Sequence, residues 1–289
     1  MPDRTAVFEE HRDRLFGIAY RMLGSVADAE DLVQDAWLKW SQASGTVHHP
    51  GAYLARTVTN LALNRLTSAA AQREHYVGTW LPEPLVSAPD VADEVERADS
   101  VSLAMLVVLE SLSPLERAVF VLREVFGYPH REVARVVGRS EAAVRQLARR
   151  AKAHVESRAP RYEPSAEEQR RVTGEFAAAC LGGDLSRLLE LLAPDVTVWS
   201  DGGGKRSAAL RPIHGPGKVA RWLLGVTEGA GGDLTLTAVD VNGSPGFLVT
   251  VGGEVETVAA LEVGNGRITA VRVVRNPDKL RHLTAPGAD

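Results

Sequence analysis

A single cysteine in 289 residues, Cys180, excludes an internal disulfide and a cysteine-rich zinc site. Long hydrophobic runs are also missing. The most apolar stretch, Leu103 to Leu109, falls well short of the roughly 20 residues that span a bilayer. Nor is there an excess of positive charge: 33 Lys and Arg face 37 Asp and Glu, a net of −4. That balance excludes a globally basic nucleic-acid coat and leaves room for a local basic patch. The opening Met1-Pro-Asp-Arg4 lacks a signal peptide's apolar core, and Glu9, Glu10 and Asp13 do not fit a transit peptide. The expectation is a cytoplasmic protein without membrane contact. With 45% hydrophobic and 24% charged residues, the composition is that of a globular protein, and the length suggests two domains.

The first part reads as helices. Phe8, Leu15, Phe16, Ala19, Met22 and Leu23 fall at helical spacing, and Gly24 breaks the pattern. Ser25 to Asp28 opens a second helix in the manner of a capping box, with Leu32, Val33, Ala36, Trp37 and Trp40 inward. A third runs from about Gly51 to Leu66 on Leu54, Val58 and Leu61. Periodicity is lost over 67–99, where Pro82-Glu-Pro84 favours extended chain. Between Leu81 and Asp99, six acids face one Arg, so this reads as an acidic linker. Its Trp80, Leu81 and Leu85 are apolar enough to dock on something. Helices resume from about Val91 to Glu110. Ser113-Pro-Leu-Glu116 then supplies an N-cap, a proline at the first helical position and a glutamate three residues on. Helices continue to about Arg158, and Pro160 and Pro164 mark a second boundary.

From residue 165 the texture changes. Helices at about Ala166 to Leu181 and Leu185 to Leu192 precede a strand-like Val196-Thr-Val-Trp199. The glycine loop Asp201-Gly-Gly-Gly-Lys205 and a helix near Lys218 to Val226 follow. Strands are expected at Leu234 to Val241, Phe247 to Val251, Val255 to Val263 and Ile268 to Val274. Gly243, Gly252-Gly253 and the hairpin signal Asn265-Gly266 separate them. Helices first and an antiparallel meander last read as α+β.

The most informative stretch is Pro129 to Lys152. A short helix with Val133, Ala134 and Val137 inward meets a tight turn at Gly138-Arg-Ser140 and then a longer helix that Ser140 can cap. Val144, Leu147, Ala151 and Val155 form the inner stripe of this longer helix, while Arg145, Arg149 and Lys152 share the outer face. Between Arg139 and Lys152 lie five basic residues and one acid, Glu141. A packed helix with a free basic face suits major-groove insertion, although a solvated basic helix in a bundle carries the same pattern.

These segments, in this order, resemble the extracytoplasmic-function group of bacterial sigma-70 factors. Asp28-Ala-Glu-Asp-Leu-Val-Gln-Asp-Ala-Trp37 is similar to the family helix that docks on the clamp helices of the RNA polymerase β′ subunit. The resemblance assigns core-polymerase contacts to Asp28, Asp31, Gln34 and Asp35. Helix-dipole stabilisation accounts equally for Asp28 and Asp31, but Asp35 lies two to three turns in. His49 to Ala62 is similar to the −10 recognition segment, which places Arg56, Thr59, Asn60, Asn64 and Arg65 at promoter DNA. Amide edges and arginine suit unstacked bases, and solvent exposure alone also accounts for any one of these side chains. Leu112 to Leu122 leads into the helix-turn-helix. There the resemblance assigns −35 reading to Arg139, Ser140, Glu141, Arg145, Gln146, Arg149 and Lys152. Residues 1–161 carry 20 basic and 21 acidic groups, so the isolated protein is expected to bind DNA weakly and gain specificity within polymerase.

Residues 165–285 resemble the SnoaL-like, nuclear-transport-factor-2-like fold, a curved sheet wrapped by helices into a cone with a pocket. The combination matches the sigma-J-like subgroup. Three motifs carry that match: Trp80-Leu81-Pro82-Glu83-Pro84-Leu85, Asp201-Gly202-Gly203-Gly204-Lys205 and Asn276-Pro277-Asp278-Lys279-Leu280. The implied role is intramolecular regulatory contact with the sigma domains or their linker. Asp201 to Lys205 lacks the spacing of a phosphate loop, and its glycines suit close approach of another surface. The competing class is an enzyme, since this fold hosts isomerases, cyclases and hydrolases. All five tyrosines precede the domain, leaving Asp195, Asp201, Asp240 and His214 as acid–base candidates. His214 sits in Pro212-Ile-His-Gly-Pro216, where a turn also explains it.

The expected architecture is multidomain: two all-α sigma domains, the second with a helix-turn-helix, then an α+β SnoaL-like cone. The boundaries are 1–70, a linker at 71–102, 103–160 and 165–285. The expected function is an alternative sigma factor directing promoter-specific initiation, modulated in cis by the last domain. Its partners are core RNA polymerase, promoter DNA and, in the pocket, a small-molecule ligand of unidentified chemistry. No catalysis, cofactor or metal is expected. The alternative is a helix-turn-helix protein fused to a small-molecule-binding or isomerase/hydrolase domain.

Overall fold

The structure, a computed structural model, describes residues 3–44, 47–73, 76–87, 101–158, 164–229 and 234–283. Most of the acidic linker, including the helix start near Val91 and Pro89, lies outside these residues, as does Pro160. The chain forms two compact units. The first gathers the chain up to residue 73 with the chain from Ala104, and the second gathers the segment from Tyr76 with the chain from residue 164.

The first unit is all helical. Helix α1 (Arg4–Leu23) starts at Asp3, whose carboxylate accepts from Thr5 N at 3.0 Å, and ends at Gly24 with φ 67°. Ser25 caps α2 (Val26–Ser41) by accepting from Asp28 N at 3.1 Å. Helix α3 (Pro50–Arg73) runs well past the expected Leu66. The run Ala69-Ala-Ala71 has no apolar periodicity to read, but alanine is the best helix former and carries the helix on. Leu15, Ile18, Met22, Leu32, Val33, Leu54 and Val58 are buried among these three helices.

Helix α4 (Leu103–Glu110) leads to α5 (Pro114–Phe120), whose Ser113–Glu116 capping box forms as expected. A π-helical turn at Val121–Val125 follows, then α6 (His130–Val137) and α7 (Glu141–Glu156). Gly138 ends α6 at φ 65°, and Ser140 Oγ accepts from Ala143 N to cap α7. The inner stripe of α7 is Val144, Ala148, Ala151 and Val155. Leu147 and Val137, expected inward, are only half-buried.

The second unit is one seven-stranded sheet with helices on one face. Strand β1 (Val86–Ser87) comes from the linker; α8 (Ala166–Leu181) and α9 (Leu185–Leu191) precede β2 (Leu192–Asp201). Next come β3 (Ile213–His214), α10 (Pro216–Gly229), β4 (Leu234–Val241), β5 (Ser244–Val251), β6 (Glu254–Gly264) and β7 (Arg267–Val274). The order is β1-β4-β5-β6-β7-β2-β3. The meander β4 to β7 is antiparallel as expected, but β2 joins β7 in parallel, with Val198 opposite Val271. Asn265-Gly266 turns with both φ positive, and so does Asn242-Gly243, which lets β5 start at Ser244 instead of Phe247.

Val172, Phe176, Leu188 and Val219 from the helices pack on Phe247, Leu261, Val271 and Val273 from the sheet. Alternation puts Leu248, Val258, Ala260 and Val274 on the opposite face, and these are buried too. No described helix is long and apolar enough to cross a membrane.

Candidate functional sites: three helix faces and a docked segment

On α2, burial of Leu32, Val33, Ala36 and Trp40 turns Asp31, Gln34 and Asp35 outward. Leu38, one turn beyond Gln34, stands 48% exposed beside them, so the acidic face carries an apolar centre. Sequence reading missed Leu38. Its signal is that it falls off the buried stripe and one turn from the acidic residues. Trp37, expected inward, is half-buried. Asp28 is different: its carboxylate is held by Arg65 of α3, whose Nε donates to Oδ1 at 3.1 Å.

On α3, Arg56, Asn60 and Asn64 are exposed along one face. Thr59 does not belong with them. It is fully buried, with its hydroxyl donating to Ala55 O at 2.7 Å, because it lies on the side of Ala55 and Ala62. The structure therefore removes Thr59 from the DNA-facing set.

On α7, Arg145, Gln146 and Arg149 are exposed, and Arg139 is exposed in the turn. Ser140 is engaged as the cap. Arg145 pairs with Glu141 one turn earlier at 2.7 Å, and Lys152 reaches back to Glu124 at 3.3 Å. Arg150 pairs with Glu116 at 3.2 Å. The Arg145–Glu141 pair is exposed on both sides and is therefore weak and salt-sensitive, whereas Glu116 and Glu124 are more covered than their basic partners.

The three motifs expected to be regulatory converge within the second unit on one buried carboxylate. Asp201 ends β2 and is fully buried. Its Oδ1 accepts from Tyr76 Oη at 2.6 Å and from Gly203 N at 3.0 Å. Its Oδ2 accepts from Leu81 N and from Lys279 Nζ, each at 2.8 Å. Lys279 also donates to Leu81 O, and its amine lies 4.1 Å from the centre of the Trp80 ring and 5.0 Å from that of Tyr76. Burial, with Asp201 as acceptor, raises the Tyr76 pKa.

The rest of the linker segment is fastened strand by strand. Leu81, Pro82, Glu83 and Pro84 are buried. Leu85 N donates to Asn242 Oδ1 at 3.0 Å and Asn242 N donates to Leu85 O at 2.8 Å; β1 then pairs antiparallel with the edge of β4. His282 Nε2 lies 2.8 Å from Pro84 O. Asn276 caps the turn Pro277–Lys279 through Asp278 N, while its Nδ2 donates to Tyr76 Oη at 2.8 Å. Lys205 pairs with Asp278, and that contact leads the causes lowering the Asp278 pKa. Leu280 is buried.

Sequence reading left Tyr76 outside this domain; the segment brings it in. The glycines have distinct duties. Gly203 has φ 58°, and a Cβ there would stand 2.3 Å from Asn276 Nδ2. Gly203→Ala is thus expected to cost about 1–3 kcal/mol through strain and displacement of Asn276. A drop in the thermal midpoint of the full chain checks this, and an unchanged midpoint contradicts the packing described.

The acid–base candidates do not gather. Asp195 and His214 are exposed, the latter 3.0 Å from Thr197 Oγ1; Asp240 is buried on β4 opposite Ser87; Asp201 is taken up by the segment. A cavity of about 270 Å³ opens beside Cys180, Leu181, Leu224, Thr227, Glu228 and Leu234. None of those four candidates lines it. Burial raises the Cys180 thiol to about 12, which makes it a poor nucleophile.

Comparison with known proteins follows this division. Residues 7–72 match the family model for sigma-70 region 2, and residues 102–155 match that for sigma-70 region 4. The chain is 39% identical to the ECF RNA polymerase sigma factor SigJ of Mycobacterium tuberculosis, over 94% of this chain and 91% of that protein. It is 35% identical to a probable ECF RNA polymerase sigma factor, SigI, of the same organism, over 97% and 96%. The crystal structure of the M. tuberculosis SigJ superposes with a TM-score of 0.77 at 38% identity, covering 96% of this chain and 98% of that one.

Proposed function

This chain belongs to the extracytoplasmic-function family of RNA polymerase sigma factors, and on that premise we propose how its parts divide the work of initiation. The face of α2 built by Asp28, Asp31, Gln34, Asp35 and Leu38 docks on the basic clamp helices of core polymerase, with Asp28 reached by displacing Arg65. Arg56, Asn60 and Asn64 of α3 read the −10 element as single strand. Arg139, Arg145, Gln146 and Arg149 meet the −35 element in the major groove. Glu141 and Arg145 present a ready-made acceptor and donor pair at the N-terminal end of α7, where recognition helices contact base edges.

Arg145→Ala is expected to weaken −35 discrimination by about 1–3 kcal/mol if its fork spans one guanine. A promoter-library transcription assay reads this as relaxed preference at one position. An unchanged preference removes Arg145 from base readout.

The second unit acts on the first through the linker. The single observation that carries this reading is the convergence of Tyr76, Leu81, Gly203 and Lys279 on Asp201. A segment held by a buried carboxylate, two aromatic rings and a strand pairing has a defined docked state. Its release would change how freely the two DNA-reading halves can move. We read this unit as a regulatory module; the cavity at Cys180 and Leu234, lined by polar and apolar side chains alike, is where a small-molecule ligand would bind to bias the docked state. Alanine at Trp80 tests the linkage: promoter output that does not change from wild type would contradict control through the segment.

A further inference from the structure

The surfaces proposed for polymerase and for the −10 strand are not independent. Arg65 leaves the C-terminal half of α3, among the residues that the resemblance assigns to promoter DNA, and turns back onto α2. Both its Nε and its Nη2 contact Asp28 Oδ1, and Nη2 lies 3.7 Å from Asp31 Oδ2. Asp28 above all, with Asp31 and Asp35 adding, raises the guanidinium above its ordinary value. Arg65 and the acids remain substantially exposed, with side-chain exposures of 47% for Arg65, 36% for Asp28 and 68% for Asp31. Nothing in the local packing therefore prevents the pairs from opening.

We propose that Arg65 serves two partners in turn: Asp28 and Asp31 while the protein is free, and promoter DNA once core polymerase has taken those acids. This rests on the reading of α2 as the docking face. Asp28 Oδ1 already holds two guanidinium nitrogens, and a basic clamp residue drawn to the Asp28 or Asp31 carboxylate offsets the same negative charge that holds Arg65, so docking competes with Arg65. The displaced guanidinium then has no acid to neutralise it; Arg65 follows Asn64 directly, about 100° around α3 from the face of Asn60 and Asn64, and its long side chain is free to swing toward that face to meet phosphate or stack on a base. By linkage, polymerase docking and −10 binding must favour each other by the same factor. An exposed ion pair sets the size of that factor at about two- to five-fold at low salt.

The test measures affinity for labelled core polymerase and, separately, capture of a single-stranded −10 oligonucleotide by the assembled holoenzyme. Arg65→Ala and Arg65→Gln are each expected to tighten core binding about two- to five-fold at low salt, with the gain fading as salt rises. The same variants are expected to weaken oligonucleotide capture by a similar factor. Opposite signs in the two readouts distinguish the handover from a purely structural Arg65, whose loss would weaken both. Core binding that stays the same or weakens in the Arg65 variants overturns the proposal. Asp35→Asn serves as the control on its premise. If that variant weakens core binding and the Arg65 variants do not tighten it, the handover alone is wrong. If Asp35→Asn leaves core binding unchanged, the docking face itself is wrong and the handover falls with it.

Discussion

Lys279→Met is expected to release the segment from Tyr76 to Ser87 without unfolding the sheet beneath it. The substitution keeps an unbranched side chain over Trp80 and removes only the charge and its hydrogen bonds. Lys279 is 6% exposed and Asp201 is fully buried, so the carboxylate loses its one cationic partner among the described contacts. Breaking a buried pair costs about 3–5 kcal/mol when nothing else compensates. Here Tyr76 Oη, Leu81 N and Gly203 N still donate to Asp201. The expected cost is therefore lower, about 2–3 kcal/mol. Amide hydrogen exchange reads it directly: Leu81 and Leu85 should exchange about 30- to 150-fold faster, while β5 and β6 stay protected. Unchanged protection at Leu81 would mean that Lys279 does not hold the segment.

The second large effect lies in the first unit, where two arginines cross-cap two helices. Arg117 of α5 is 3% exposed and donates from Nη1 to Met22 O at 2.7 Å, on the last turn of α1, and to Glu110 Oε1 at 2.6 Å. Arg14 of α1 donates in return to Phe126 O at 2.9 Å, at the end of the π-helical turn, and stacks 4.7 Å from the Tyr128 ring centre. Cations at helix C-termini satisfy open carbonyls and favour the dipole. Burial lowers the Arg117 pKa to about 10, so it stays charged at neutral pH. Gly17 leaves the room: a Cβ there would lie 3.1 Å from Phe126. Arg117→Met strands Met22 O and is expected to cost about 2–4 kcal/mol of stability in a denaturant titration.

Its functional effect should run the other way. The −10 and −35 elements are named for positions roughly 25 base pairs apart, about 85 Å of B-DNA. A compact unit of about 130 residues has a radius of gyration of about 14 Å and cannot touch both. The halves therefore have to part for initiation, and the contacts at Arg117 and Arg14 oppose that. Polymerase-dependent initiation by Arg117→Met should hold or rise at a temperature where the variant is folded. Initiation that falls with stability would show that the closed arrangement is the active one.

Much of this was legible locally. Ser25, Ser113 and Ser140 announced helix starts that the structure places within a residue, because a cap is a short-range chemical signal. The meander was readable from alternation and glycine turns. Period two is the same in parallel and antiparallel strands, however, so nothing in Val196 to Trp199 told of the parallel partner β7. Thr59 could have been placed inside by counting from Ala55 and Ala62; its residue type drew it to the DNA list. The three motifs expected to be regulatory were visible as motifs. Their meeting point was not, because Asp201 and Tyr76 are 125 residues apart and no local pattern encodes that distance.

The measurement that bears most directly on the account is in vitro transcription with core polymerase. It compares the full chain, a chain ending after Arg161, and Lys279→Met. The account predicts protein-dependent start sites from all three. It also predicts that truncation and Lys279→Met shift promoter output in the same direction, because both free the same segment. Output identical across the three would contradict control through the segment, and no initiation from any of them would contradict the assignment of sigma activity itself.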